Sequence, residues 1–212
     1  MASHTVTLIP GDGIGPETTA AMRRVVEASG ADIAWEVAEA GAHLMEEHGT
    51  PLPASTVEAV KRNKVAIKGP ITTPVGTGFR SVNVALRKAL DLYVCLRPVL
   101  SIPGAGGRYD DVDLVIVREN SEDLYAGVEF EAGSAAARKL IALCEEEGAG
   151  TICPDSGISI KPISTAASER IVRYAFDYAE KHGRARVTAV HKANIMKHTD
   201  GLFLRAARDV AA

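Results

Sequence analysis

The segment that most restricts the fold lies near the start of the chain. There the apolar run at residues 5–9 passes through Pro10 into Gly11-Asp12-Gly13-Ile14-Gly15-Pro16-Glu17. An apolar run of this length reads as a buried strand, and the glycines permit a tight turn after it. Pro16 then stands where a first helical residue tolerates a missing N–H, and Glu17 suits the positive helix end. The segment is therefore strand, turn and helix, the context of a phosphate-binding loop. Its glycine spacing is not G-x-G-x-x-G, and no acidic residue about 20 positions on sits clearly at a strand end. A ligand-binding turn and a plain structural turn both remain open on local grounds.

The same grammar continues downstream. Strand candidates fall at residues 33–38, 65–68, 92–99, 114–118 and 186–191, with helical patterns between most of them. This alternation predicts an α/β fold with a largely parallel sheet flanked by helices. The helix expected at 165–182 carries Ile171, Val172, Ala175, Phe176 and Ala179 on one stripe, with Ser164 to cap it and Gly183 to end it. Between 119 and 162 the pattern weakens into short extended pieces, 124–130 and 157–160, around a polar helix at 135–147. The expected organisation is an α/β domain over 1–118, an arm or clasp-like excursion over 119–163, and a return to the α/β core over 164–212. The chain stops at Ala212 within an apparent helix that begins near Asp200 and lacks a capping signal, so its end reads as cut.

Composition narrows the partners. A net charge of −3 gives no global basic field, which makes nucleic acid or an anionic membrane surface a poor main partner and a small molecule the better one. The apolar stretches are far shorter than the roughly 20 residues of a membrane span. Neither a basic leader nor a cleavage site precedes the first strand pattern, and Cys95, Cys144 and Cys153 lack metal-type spacing. A cytoplasmic location with reduced thiols is the expectation.

Four features carry chemistry. Residues 68–78 form a Gly-, Pro- and Thr-rich loop of the kind that presents backbone groups to ligands. A short helix follows, in which Arg80, Asn83 and Arg87 share one side while Val82, Leu86 and Ala89 share the other, with Ser81 at its start, where free N–H groups favour an anion. Two apolar runs then end in Arg97 and Arg118, and a charge so placed must be paired or face a cleft. Arg87, Arg97 and Arg118 can converge on a polyanion through planar forks, although a structural ion pair is the alternative for any one of them. Finally, Tyr125 stands among acids and glycine, and Lys192 follows an apolar run as the arginines do. A phenol near cations can act as a general acid, and a desolvated lysine as a base or oxyanion partner. Packing is the alternative for the tyrosine, and a structural role is the ordinary one for neighbouring His191.

Taken together, residues 11–17, 68–99, 117–127, 155–163 and 191–197 resemble the isocitrate and isopropylmalate dehydrogenase family of β-decarboxylating dehydrogenases, in order and across essentially the whole chain. The resemblance implies that Ser81, Asn83, Arg87, Arg97 and Arg118 contact the substrate, that Thr72 lies beside the nicotinamide of NAD (NADP being the other possibility), and that Tyr125 and Lys192 are the acid–base pair. It also implies a homodimer, a divalent Mg2+ or Mn2+, and a tricarboxylate substrate. The serine and asparagine at 81 and 83 resemble the isocitrate branch, since a hydroxyl suits a third carboxylate whereas an isopropyl group takes apolar neighbours. Homoisocitrate, isopropylmalate and tartrate are the alternative substrates, and a catalytically silent subunit or binding module is the alternative class. Family members continue well past residue 212, and their metal-binding aspartates and adenosine loop lie in that continuation. No metal ligand is assigned here.

Overall fold

The computed structural model describes residues 4–72 and 81–212. They form two compact units, Met1–Asp91 and Leu92–Ala212.

The first unit is built on a parallel sheet of order β2-β1-β3, comprising β1 (His4–Ile9), β2 (Ile33–Val37) and β3 (Ala66–Lys68). Central β1 places Thr7 opposite Glu36 on one side and Ile9 opposite Lys68 on the other. Its residues from Val6 onward are buried, as expected where both faces of a parallel strand are covered. Helix α1 (Gly15–Ala28) starts at the glycine turn with Pro16 in its first turn. The links to β3 and beyond are α2 (Leu44–His48), α3 (Ala54–Asn63) and, after the loop, α4 (Val82–Ala89). Val82 and Leu86 of α4 join Ile9, Ala40, Val60 and Ile71 in the core, so the polar side of α4 is left for other work.

The second unit pairs β4 (Val94–Leu100) with β5 (Asp113–Glu119). A 3-10 turn, Asp123–Ala126, leads into β6 (Val128–Phe130), then α5 (Ala135–Glu146) and β7 (Ile158–Ile160), which pairs back on β6. Helices α6 (Thr165–Lys181) and α7 (Asp200–Ala211) follow. Ser134 and Ser164 each accept the N–H three residues on, capping α5 and α6. Ile171 and Val172 of α6 pack with Ala207, Phe203, Val94 and Val117, which seats both helices on one face of the β4–β5 ribbon.

The α/β class with a parallel sheet and flanking helices holds, but two strand expectations change. β4 and β5 run antiparallel. The link between them, Ile102-Pro103-Gly104-Ala105-Gly106-Gly107 and onward, contains no helix, and parallel neighbours need a long crossover that is usually helical. Residues 186–191 adopt no strand. β-branched residues alone do not make a strand without a partner edge, and Val190 is left 86% exposed.

Candidate active site

In the first unit the glycine turn is pressed against residues 69–72. A Cβ on Gly11 would lie 1.9 Å from the Pro70 carbonyl oxygen, and one on Gly69 would lie 2.1 Å from that of Pro10. Only glycine permits this backbone approach, and Gly11 also sits at φ +78°. Asp12 locks the contact. Its Oδ1 accepts the Thr72 N–H at 2.7 Å, its Oδ2 accepts the Ala42 N–H at 3.0 Å, and its own N–H donates to Pro70. Burial works against the charge, yet the N–H groups of Thr72 and Ala42, with the Thr72 hydroxyl and His43, outweigh it and hold the Asp12 carboxyl below its usual range. Thr72 is thus fixed in place, with its N–H engaged.

Lys68, at the end of β3, is half-buried and close enough to both Asp12 and Arg87 to feel them. Burial and the Arg87 charge push its ammonium down, with Asp12 opposing. Two cations in such proximity favour an anion beside them. On α4, Asn83 and Arg87 stand one turn apart, and among the described residues the buried Asn83 Oδ1 has no hydrogen-bond partner, a condition native structures rarely leave unfilled. Ser81 occupies the N-cap position, but its side chain makes no capping bond. Arg80 and the loop from residue 73 to 80 lie outside the described residues.

In the second unit the antiparallel register groups the expected residues. Cys95 faces Arg118 and Arg97 faces Ile116, so Arg97 and Arg118 are diagonal neighbours on one face of the ribbon. This pairing, and not the strand-end rule of a parallel sheet, brings them together. Arg97 donates to Cys95 Sγ at 3.3 Å, and Arg118 donates to Asn120 Oδ1 at 3.2 Å while its guanidinium lies 4.9 Å from the centre of the Tyr125 ring. None of these partners is a carboxylate. The acids that follow Arg118 are committed elsewhere: Glu119 accepts the N–H groups of Ser121 and Glu122, and Glu122 accepts that of Ser164. The result is an exposed face with two guanidinium groups and a phenol, suited to an anion.

Lys192 is exposed, in the irregular segment before α7. Its backbone N–H goes to Asp200, whose carboxyl is held below its usual range, chiefly by a hydrogen bond from Lys161. His191 Nδ1 is buried and unpartnered. Among the described residues, no group of three or more His, Cys, Asp or Glu side chains could hold a metal ion, and no helix is long and apolar enough to cross a membrane. Asp12, Lys68 and Lys161 were not singled out from the sequence. Lys68 was within reach, because it ends an apolar run just as Arg97, Arg118 and Lys192 do.

The chain is similar to known proteins over nearly all of its length. A family model described as isocitrate/isopropylmalate dehydrogenase matches residues 5–212. A mitochondrial NAD isocitrate dehydrogenase catalytic subunit 5 of Arabidopsis thaliana is 44% identical over 98% of this chain and 50% of its own length. An NADP isocitrate dehydrogenase of Staphylococcus epidermidis is 46% identical over 97% of this chain and 52% of its own. The crystal structure of isocitrate dehydrogenase from Methylococcus capsulatus superposes with a TM-score of 0.84 at 46% identity, covering 98% of this chain and 57% of that one. The chain spans about half the length of the curated relatives it matches.

Proposed function

This chain belongs to the isocitrate/isopropylmalate dehydrogenase family, and on that premise we propose that it is the substrate-recognising portion of an isocitrate dehydrogenase. The reaction is metal-dependent oxidative decarboxylation of isocitrate to 2-oxoglutarate and CO2, with reduction of NAD or NADP. The observation that carries the reading is the face of the β4–β5 ribbon where Arg97 and Arg118 stand, with Tyr125 against Arg118 and no carboxylate partner among the described residues. An anionic substrate supplies the charge that this face lacks. Resemblance to the family adds Arg87, Ser81 and Asn83 as proposed substrate contacts, and the Asn83 Oδ1 is buried without a hydrogen-bond partner among the described residues.

Within this reading Lys192 assists removal of the hydroxyl proton as hydride leaves the neighbouring carbon. Tyr125 returns a proton to the carbon that loses CO2, with the Arg118 guanidinium packed against its ring. Thr72, held through its N–H by Asp12, is the residue that borders a nicotinamide. Mg2+ or Mn2+ supplies charge stabilisation at the substrate oxygens when bound. The described residues offer no ligand set for it, so no step is assigned to a metal-holding side chain of this chain. We further propose a homodimer in which residues 119–163 reach the partner subunit. The unpaired cysteines fit a reducing compartment, with the cytoplasm as the proposed site.

The test is a substrate panel on the full-length protein with Mg2+ or Mn2+ and each nucleotide. Isocitrate is expected to give the highest kcat/KM. Preference for isopropylmalate, homoisocitrate or tartrate would overturn the substrate assignment, and binding of isocitrate without turnover would favour a silent subunit. The 212-residue chain alone is expected to be inactive, and metal-dependent turnover by it would contradict the division of labour proposed here.

A further inference from the structure

Lys161 follows β7 at a junction between two sequence-distant segments. Its ammonium lies 2.7 Å from Asp200 Oδ2 and 3.9 Å from Asp123 Oδ1. Asp123 opens the 3-10 turn that carries Tyr125, and Asp200 opens α7 just beyond the segment that carries Lys192. The Lys161 and Asp200 side chains are only 25% and 13% exposed, so water and salt screen this pair less than an ordinary surface bridge.

Each acid is also tied to its own segment. Asp200 accepts the Thr199 hydroxyl at 3.2 Å and the backbone N–H of Lys192. Asp123 has φ +61°, a left-handed conformation that a side chain makes unfavourable. Its N–H donates to the Pro162 carbonyl at 3.1 Å, next door to Lys161, so the strained turn is held from the same strand end that supplies the ammonium. A simple structural ion pair needs one acid. Lys161 engages two, and each borders one member of the acid–base pair.

We propose that Lys161 is a positioning residue for the acid–base chemistry: by gripping Asp123 and Asp200 together, it fixes the Tyr125 turn relative to the segment that presents Lys192. The proposal rests on Tyr125 and Lys192 being that pair. If one chain's tyrosine and lysine serve different sites of a dimer, the grip ties elements of both sites together.

The first experiment is amide hydrogen exchange on the 212-residue chain. Lys161→Met is expected to accelerate exchange in residues 122–127 and 192–200 together, by about tenfold or more, with β4 and β5 unchanged. Lys161→Arg should largely restore protection, and Asp200→Asn, which spares Lys161 itself, should loosen both segments as well. Exchange that changes in one segment alone, or only next to the substitution, overturns the proposal.

The second experiment uses the full-length enzyme. Lys161→Met is expected to lower kcat roughly tenfold while KM for isocitrate moves less than twofold, with Lys161→Arg recovering most of kcat. Tyr125→Phe and Lys192→Met are measured alongside. If those two abolish turnover and Lys161→Met leaves kcat intact, the positioning role is wrong. If those two leave turnover intact, the acid–base reading fails, and the proposal falls with it.

Discussion

In the first unit the polar groups of interest are locked by backbone contacts, with Asp12 bridging Thr72 and Ala42 and the glycine turn pressed on Pro70. In the second unit Arg97, Tyr125 and Lys192 are exposed side chains on a ribbon, a 3-10 turn and an irregular segment. On the proposed function, the difference separates two duties. Groups that shape a site must not move, and backbone carbonyls and N–H groups are the stiffest parts available to hold them. Groups that meet a charged reactant gain from being unpaired until it arrives. Substitutions at the glycine turn and at Asp12 should therefore act mainly on stability, and those at Arg97, Tyr125 and Lys192 mainly on turnover.

The largest expected effect is that of Gly11→Ala, because the new Cβ would meet the Pro70 carbonyl oxygen at 1.9 Å in a left-handed backbone. Relieving the collision requires the turn to separate from residues 69–72, and a loss of about 3–5 kcal/mol is expected. Urea unfolding followed by the fluorescence of Trp35, the sole tryptophan, which lies on β2, reports on this unit. A loss below about 1 kcal/mol would show that the turn is not held as described.

A smaller loss, about 1–2 kcal/mol, is expected for Asp12→Asn, which weakens charge-assisted bonds to Thr72 and Ala42. Because the folded-state carboxyl is held below its usual range, its contribution is present above the unfolded pKa and lost as pH falls through the lowered value. The stability gap between wild type and variant should thus be full at neutral pH and shrink below about pH 4. A gap independent of pH down to pH 2 would assign the effect to shape instead of charge. The smallest effect belongs to the second unit: Tyr125→Phe keeps the ring beneath Arg118 and should change stability by less than about 0.5 kcal/mol. A loss above 1 kcal/mol would place the hydroxyl in the packing and blur the contrast between the units.

What could be read in advance divides along the same line. The strand, turn and helix of β1 and α1 were legible because glycine and proline act locally. The serine caps of α5 and α6 were legible for the same reason. The direction of the β4–β5 pair was not, since an arginine-ended apolar run looks alike in parallel and antiparallel sheets. Arg97 and Arg118 lie on one face of the ribbon, but the register that places them there depends on a helix-free link whose path no local signal records. The grip of Lys161 on Asp200 joins residues 39 positions apart, and such pairs leave no periodic trace. Asp12 was hidden by the glycines around it, which drew attention to backbone conformation and away from its carboxylate.

On the proposed function the exposed groups of the second unit perform the acid–base steps, and we propose that one chain's tyrosine serves the other chain's lysine. In the full-length enzyme, Tyr125→Phe and Lys192→Met homodimers should each be nearly inactive. Refolded together, half the dimers become mixed under random exchange, and each mixed dimer holds one intact site and one doubly defective site. The pool should then recover about a quarter of wild-type isocitrate-dependent nucleotide reduction. Activity that stays at the level of the single variants, with mixed dimers verified by a tagged pull-down, would contradict the shared site and return both residues to one chain.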